Sequence, residues 1–146
     1  MKLLIAVDFS KTFDSVIAYA GKLGNLLNAK MWLLHVAEPN PELVGHEVAS
    51  QELRDLAAKE FHEEHRQLQQ AGDELRKAGL DCVDLLIQGD TATKILAEAE
   101  RLGIDIIVLS SQGKGTVKKL FIGSTCEDVI KTSTIPVLVM PPNTRE

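Results

Sequence analysis

The sequence contains no apolar run that approaches the roughly 20 residues needed for a membrane-spanning helix. Its apolar start, residues 1–7, meets Asp8 too early for a signal peptide, so we interpret it as a buried strand. Basic residues do not dominate either, since 16 Lys and Arg residues stand against 21 Asp and Glu residues. The net charge of -5 and the pI near 5.4 argue against the broadly basic surface that attracts nucleic acid or anionic membranes. We therefore expect no membrane span and no nucleic-acid partner, and any site for an anion must be local.

Cysteine is scarce, because the 146 residues contain only Cys82 and Cys126, which lie far apart. A chain of this length can bury a core without disulfide bonds. A reduced, cytoplasmic protein is therefore the simpler interpretation, and a disulfide between the two cysteines is the alternative. Internal repeats and low-complexity tracts are absent as well, and the length fits one domain over residues 1–146.

Several catalytic motifs are missing. The segment of residues 62–65 separates its two histidines by three positions, whereas zinc proteases of the His-Glu-x-x-His type need four, so we expect a solvated helix face there. The sequence has neither a Gly-x-Ser-x-Gly elbow nor a Walker lysine motif, and we expect His35 to be packed or hydrogen-bonded rather than catalytic. The sequence therefore predicts no catalytic residue and no metal held by protein side chains.

Apolar segments of strand length alternate with amphipathic helical stripes along the chain. Five such strands joined by helices predict right-handed crossovers and a parallel sheet with helices on both faces, which is an α/β three-layer sandwich. We expect Asp8 and Ser10 to cap the first helix and Asp90 to cap the third. The predicted strands span residues 2–7, 30–36, 82–87, 104–109 and 137–140, and the predicted helices begin near residue 11, span 50–78, follow Asp90 as far as Leu102, and span 124–133.

Three segments are predicted to meet at one edge of this sheet. In an open parallel sheet, ligands bind beyond the carboxyl ends of the strands, where successive connections leave in opposite directions. Asp8 follows the first strand, residues 35–38 end the second, and the loop of residues 110–124 follows the fourth. A carboxylate such as Asp8 can accept a hydrogen bond from a base amino group or a ribose hydroxyl. This arrangement favours a nucleotide as the ligand.

The loop of residues 110–124 is rich in glycine and lysine. Gly113 and Gly123 allow backbone amides to approach a ligand closely, and Ser124 opens a helix whose first amides lack internal partners. Positive charge comes from Lys114, Lys118 and Lys119. The loop therefore predicts a site for phosphate.

Each of these residues also has a structural interpretation. Ser124 and Glu127 have the spacing of a capping box, in which each side chain bonds the backbone amide of the other residue. Asp8 could simply cap the first helix or orient the loop before it, and the lysines could be solvated surface residues. Cys126 lies in the first turn of the last helix, where a lowered pKa and a redox role are the alternative. The convergence of three segments favours a ligand over these interpretations.

The sequence resembles the universal stress protein family over nearly its whole length. The resemblance rests on Ala-Val-Asp-Phe-Ser at residues 6–10, Leu-His-Val at 34–36, Ser124, and Ile-Pro-Val-Leu-Val at 135–139. It implies the strand order 3-2-1-4-5, which makes the last strand, Val137–Met140, an edge of the sheet. Because that strand is too apolar to leave exposed, we expect a homodimer that pairs through it.

ATP-binding members of the family carry Gly-x-x-Gly, then nine residues, then Gly-Ser or Gly-Thr. Gly113, residues 114–122 and Gly123-Ser124 match the later part of this motif, whereas Ser110 stands in place of the first glycine. The resemblance implies adenine beside Ala6, Asp8 and Val36, and phosphates beside the glycine loop and Thr125. The full predicted site consists of Ala6, Val7, Asp8, Val36, Ser110, Gly113, Lys114, Gly123, Ser124 and Thr125.

Function follows as an expectation from this resemblance. A cytoplasmic stress-response or signalling protein would bind ATP, with Mg²⁺ held by the phosphates, and nucleotide occupancy would alter its conformation or its choice of an unidentified protein partner. A dimeric interaction module without nucleotide and a slow ATPase are the alternatives. The effect of Ser110 depends on its backbone, because a position that needs positive φ would penalise serine and an ordinary strand end would not.

Overall fold

The computed structural model describes residues 1–39, 50–112 and 122–141. Within them, strands and helices alternate as the hydrophobic pattern predicts. The strands are β1 (Lys2–Ala6), β2 (Lys30–Ala37), β3 (Asp81–Gln88), β4 (Ile106–Ser110) and β5 (Val137–Met140). The helices are α1 (Phe13–Leu26), α2 (Gln51–Lys77), α3 (Thr91–Leu102) and α4 (Ser124–Thr132). No helix in this described part combines enough length and apolar character to cross a membrane.

All five strands run parallel, in the spatial order β3-β2-β1-β4-β5. This confirms the order that the family resemblance implies. β1 lies at the centre, where Leu4 pairs with Trp32 of β2 and with Ile107 of β4. Leu3, Leu4 and Ile5 are completely buried, which explains why the strand is a continuous apolar run rather than an alternating one.

Helices cover both faces of the sheet. Successive side chains of a strand point to opposite faces, so Leu3 and Ile5 of β1 belong to one core cluster and Leu4 belongs to the other. The helical residues of the first cluster come from α1 and α2 and include Val16, Ala20, Leu68, Ala71 and Leu75. Those of the second come from α3 and α4 and include Ile95, Ala99, Cys126 and Val129. The protein is the three-layer α/β sandwich that the sequence predicts.

The first helix begins later than predicted. α1 starts at Phe13 instead of near Lys11, and its N-cap, Thr12, makes no side-chain cap hydrogen bond. Asp8 accepts a hydrogen bond from the backbone amide of Ser10 at 3.1 Å, which shapes the loop before the helix. The prediction that Asp8 and Ser10 cap this helix is therefore wrong, because a capping side chain must stand immediately before the first turn.

The two ends of α3 show how local signals set element boundaries. Asp90 accepts hydrogen bonds from the hydroxyl of Thr93 at 2.6 Å and from its amide at 3.1 Å, which lower the pKa of Asp90 and confirm the predicted cap. After the helix, Gly103 takes a left-handed φ of 66° and the amide of Ile104 bonds back into the last turn at 2.9 Å. Because Ile104 closes the helix, β4 begins at Ile106 rather than at the predicted residue 104.

α1 approaches β2 closely at Gly24. This glycine is buried on the inner face of the helix, and a Cβ added to it would overlap the sulfur of Met31. Met31 is completely buried, so its side chain has little room to move aside. Gly21, one turn earlier, has more space, because an added Cβ would meet the far ends of two side chains, Leu75 at 3.2 Å and Leu80 at 3.8 Å.

We predict that Gly24→Ala lowers the free energy of unfolding by about 1–3 kcal/mol, because overpacking outweighs the gain in helix propensity. Gly21→Ala is the matched control and should change it by less than about 1 kcal/mol. Urea unfolding followed by the fluorescence of Trp32, the single tryptophan, measures both values. Equal effects of the two substitutions would contradict the close approach at Gly24.

Candidate functional site

The carboxyl ends of β1, β2 and β4 surround a cavity of about 770 Å³. This volume falls within the roughly 300–1,000 Å³ typical of small-molecule sites. Eight of the ten predicted site residues line the cavity: Ala6, Val7, Asp8, Val36, Ser110, Gly123, Ser124 and Thr125. The other two, Gly113 and Lys114, lie outside the described residues, as do Lys118 and Lys119. Segments that are distant in the sequence thus meet at one end of the sheet.

α2 forms a wall of the cavity that the sequence did not predict. Ala57, Glu60, Phe61 and Glu64 line it, all from the half of the helix before Leu68, where the buried residues of α2 begin. The hydrophobic stripe of a helix predicts which face turns inward, but it does not predict how far the helix extends beyond the sheet. Further lining residues outside the prediction are Thr12, Phe13, Val16, Pro39, Gln88, Thr91, Ile95, Leu109 and Cys126.

The loop after β1 contains a residue in an uncommon conformation. Phe9 has a φ of 54°, in the left-handed region that bulky side chains rarely occupy, at a cost of about 1–2 kcal/mol. Its ring lies 4.6 Å from the ring of His35 and 5.0 Å from that of Phe13, measured between centroids. These aromatic contacts offset the backbone strain. The chain turns sharply at Phe9, and Asp8 just before it lines the cavity.

His35 is buried at the end of β2 and is held at both ring nitrogens. Its Nδ1 lies 2.8 Å from the carbonyl oxygen of Val7, and its Nε2 lies 3.1 Å from Oε2 of Glu64 on α2. Because a carbonyl oxygen only accepts, Nδ1 carries a hydrogen and donates it to Val7. The prediction of a hydrogen-bonded histidine is confirmed. The contact also ties α2 to the sheet beside the cavity.

Ser110 is the last residue of β4. Among the described residues other than glycine, positive φ occurs at Phe9 and Asn28 and not at Ser110. Serine is therefore unstrained at this position, where the ATP-binding members of the resembled family have glycine. Its hydroxyl lies 3.1 Å from that of Thr12 and donates to the carbonyl oxygen of Gln112 at 3.0 Å.

α4 begins at Ser124, with Gly123 as its N-cap, and its first turn lines the cavity. The predicted capping box is wrong, because the N-cap is Gly123 rather than Ser124 and, among the described residues, no side-chain cap hydrogen bond is made. The amide of Glu127 bonds instead to the carbonyl of Gly123 at 3.0 Å. The carboxylate of Glu127 instead pairs with Lys131, one turn later, at 2.6 Å, and this contact lowers the pKa of Glu127. The first turn therefore presents backbone amides to the cavity, as an anion site requires.

Four carboxylates line the cavity. Asp8, Glu38, Glu60 and Glu64 line it, and the lining residues that the structure describes include no lysine or arginine. A phosphate near these carboxylates would be repelled. Negative charge on a ligand therefore belongs at the start of α4, and a neutral, donor-bearing group belongs near the carboxylates.

Both cysteines are buried and have raised pKa values, which is unlike a reactive thiol. Cys82 and Cys126 are free and buried, so the alternative of a disulfide is excluded. Burial raises the pKa of Cys126, and chiefly burial raises the pKa of Cys82 to about 11. The lowered pKa considered for Cys126 is wrong, because desolvation by burial disfavours its thiolate. No group of three His, Cys, Asp or Glu residues suited to a metal ion occurs in the described ranges.

Comparison with known proteins agrees with the resemblance seen in the sequence. A family model described as the universal stress protein family matches residues 1–141. The universal stress protein MJ0577 of Methanocaldococcus jannaschii is 29% identical over an alignment that covers 95% of this chain and 93% of the relative. A solved structure of MJ0577 matches with a TM-score of 0.85 at 30% identity and covers 99% of this chain and 97% of the other.

Two other solved structures of similar fold contain adenine nucleotides. One is the universal stress protein from Archaeoglobus fulgidus in complex with dAMP, with a TM-score of 0.63, 22% identity, and coverage of 95% of this chain and 96% of the other. The second is a universal stress protein in complex with cAMP, with a TM-score of 0.67, 19% identity, and coverage of 98% of each chain. At these identities the similarity concerns the fold.

Because Ser124 does not cap α4, we predict that Ser124→Ala changes the free energy of unfolding by less than about 0.5 kcal/mol. Loss of a true N-cap side chain would cost about 1 kcal/mol. The matched control is Asp90→Ala, which removes the observed cap of α3 and should lower the urea midpoint clearly more. Equal midpoint shifts for the two variants would show that Ser124 supports the helix after all.

Proposed function

The chain belongs to the universal stress protein family, and from that premise we propose that its cavity binds an adenine nucleotide. The observation that carries the proposal is the convergence of Asp8, Val36 and Gly123-Ser124-Thr125 on one cavity. The proposed ligand is ATP, with Mg²⁺ held by the phosphates. In this proposal the protein acts in the cytoplasm in stress response or signalling, and nucleotide occupancy alters its conformation or its choice of protein partner.

The two sides of the cavity suit the two ends of a nucleotide. The carboxylate of Asp8 and the backbone near Ala6 and Val36 can pair with the donors of adenine and ribose. The first amides of α4, after Gly123, offer hydrogen bonds and the positive end of the helix dipole to phosphates. The reverse orientation would place phosphate among carboxylates, which is unfavourable.

The complexes of related proteins support adenine as the base. The ligands dAMP and cAMP, each bound by another protein of this fold, both combine an adenine with a phosphate group. Those are the two chemical groups for which the cavity has suitable partners at its two sides.

The alternatives have less support. An interaction module without nucleotide was suggested by Ser110, but this serine is unstrained in its strand. A slow ATPase would need a carboxylate to orient water, and Glu127 near the proposed phosphate site is already paired with Lys131. We therefore favour binding without catalysis.

The test is a calorimetric titration of the purified protein with ATP and with adenosine, after acid extraction and chromatography of any nucleotide retained from purification. Ser124→Asp places a negative charge in the first turn of α4, where it interacts favourably with the helix dipole but repels phosphate. We expect it to weaken ATP binding at least about tenfold, which corresponds to about 1.4 kcal/mol, and to weaken adenosine binding much less.

The matched control is Ser124→Asn, which changes the side chain to a similar size without adding charge. It should retain most of the ATP affinity. A wild-type protein that neither carries adenine nucleotide nor binds ATP at millimolar concentration would refute the proposal and favour the interaction module. Unchanged ATP affinity in Ser124→Asp would show that the phosphates do not bind at the start of α4.

We also propose a homodimer that forms through β5. This strand is at the edge of the sheet, pairs with β4, and leaves Val137, Leu138 and Val139 only partly buried. An apolar edge strand tends to pair with another strand, and a second copy of the chain supplies one.

We predict that Val139→Lys shifts the protein from dimer to monomer, because it places a charge in the proposed interface. Light scattering coupled to size-exclusion chromatography measures the mass. Ile130→Lys, on the exposed side of α4, is the control for added surface charge and should leave the mass unchanged. A wild-type protein that is monomeric at high concentration would contradict the proposal.

A further inference from the structure

Three hydroxyl groups form a hydrogen-bonded chain along the wall of the cavity. Oγ of Ser10 lies 2.9 Å from Oγ1 of Thr12, which lies 3.1 Å from Oγ of Ser110. Oγ of Ser110 donates to the carbonyl oxygen of Gln112 at 3.0 Å. The chain therefore links the loop between β1 and α1 to the end of β4, through a contact between residues 98 positions apart.

The direction of this chain follows from the inventory of donors. Ser110 has one hydroxyl hydrogen, and the carbonyl of Gln112 can only accept it. Thr12 must then donate to Ser110, and Ser10 must donate to Thr12. The second lone pair of Ser110 faces the amide of Gln112 at a longer distance of 3.4 Å. The hydroxyl of Ser110 is thus fully used within the protein and has no hydrogen to offer a ligand.

The hydrogen-bonded hydroxyls connect the two sides of the proposed nucleotide site. At one end, the amide of Ser10 donates to Asp8 at 3.1 Å. At the other end, the residue after Ser110 bonds through its carbonyl to the amide of Gly123, the N-cap of α4, at 2.8 Å. A continuous set of short polar contacts and adjoining backbone therefore runs from the carboxylate side of the cavity to the amide side.

We propose that Ser110, through Thr12, is a positioning residue that sets the spacing between Asp8 and the start of α4. The inference rests on the proposed nucleotide site and adds to it a reason for serine where ATP-binding relatives have glycine. A glycine would leave the hydroxyl of Thr12 without its acceptor and the two segments without this link. A site with this fixed spacing would select a ligand that carries a base and a phosphate at a matching separation in one molecule.

The test compares Ser110→Ala, Ser110→Gly and Thr12→Val with the wild type in calorimetric titrations with ADP and with adenosine. Removing one hydrogen bond of the chain should weaken ADP binding about threefold to tenfold. The loss should be larger for ADP than for adenosine, because only ADP engages both sides of the cavity. The double variant Ser110→Ala with Thr12→Val should lose no more than either single variant, because the two act through one contact.

The protein offers two control variants. Thr12→Ser keeps the hydroxyl and should restore ADP binding to nearly the wild-type value. Ser133→Ala removes a hydroxyl that donates to the carbonyl of Ile135 at 2.7 Å and accepts from its amide at 3.0 Å, which is the same local geometry as at Ser110 but away from the cavity. Ser133→Ala should change the unfolding midpoint about as much as Ser110→Ala does, and it should leave ADP affinity unchanged.

The outcomes separate this inference from the proposed function. Tighter ADP binding by Ser110→Gly would show that the hydroxyl obstructs the ligand, and additive losses in the double variant would show that Ser110 and Thr12 act independently; either result overturns the inference while nucleotide binding stands. A wild-type protein without affinity for ADP or ATP would remove the proposed function and this inference with it.

Discussion

The parallel pairing of β1 with β2 on one side and with β4 on the other is the constraint on which the rest of the structure depends. All three strands run in the same direction, so their carboxyl ends open at one edge. The connection after β1 runs to β2 on one side and the connection after β4 runs to β5 on the other, so the two connections diverge between β1 and β4. Leu3, Leu4 and Ile5 are completely buried between the two helical layers, so a slip by one residue would move each of them into the other core cluster and disrupt its packing. The cavity is a consequence of that register.

Polar contacts then give the cavity its shape. The imidazole of His35 joins β2 to Glu64 on α2 and brings that helix over the site, although α2 buries its apolar side chains only further along. The hydroxyls of Thr12 and Ser110 join the loop after β1 to the end of β4. Both contacts are partly buried, where an unpaired partner would be costly, so each favours one arrangement of the segments that it joins. The apolar core holds the sheet, and these few contacts determine the geometry of the site.

Much of this architecture is predictable from the sequence because its signals are local. Apolar runs and helical stripes predict the element order, and strand ends predict which segments meet. The left-handed Phe9, the pairing of His35 with Glu64 at a separation of 29 residues and the wall formed by α2 were not predictable, because they depend on long-range packing. The prediction of a capping box was wrong for a local reason, because the helix takes Gly123 as its N-cap, one residue before Ser124, and Glu127 pairs with Lys131 four residues later.

The central claim is that the ligand lies at the carboxyl ends of β1, β2 and β4. The most direct test is a titration of isotope-labelled protein with ATP, followed by the backbone amide resonances. The account predicts that Asp8, Ser124 and Thr125 shift together with increasing ATP, while Asn28 and Lys30 at the amino ends of the strands stay in place. Shifts confined to the amino ends, or none at saturating ATP, would contradict it.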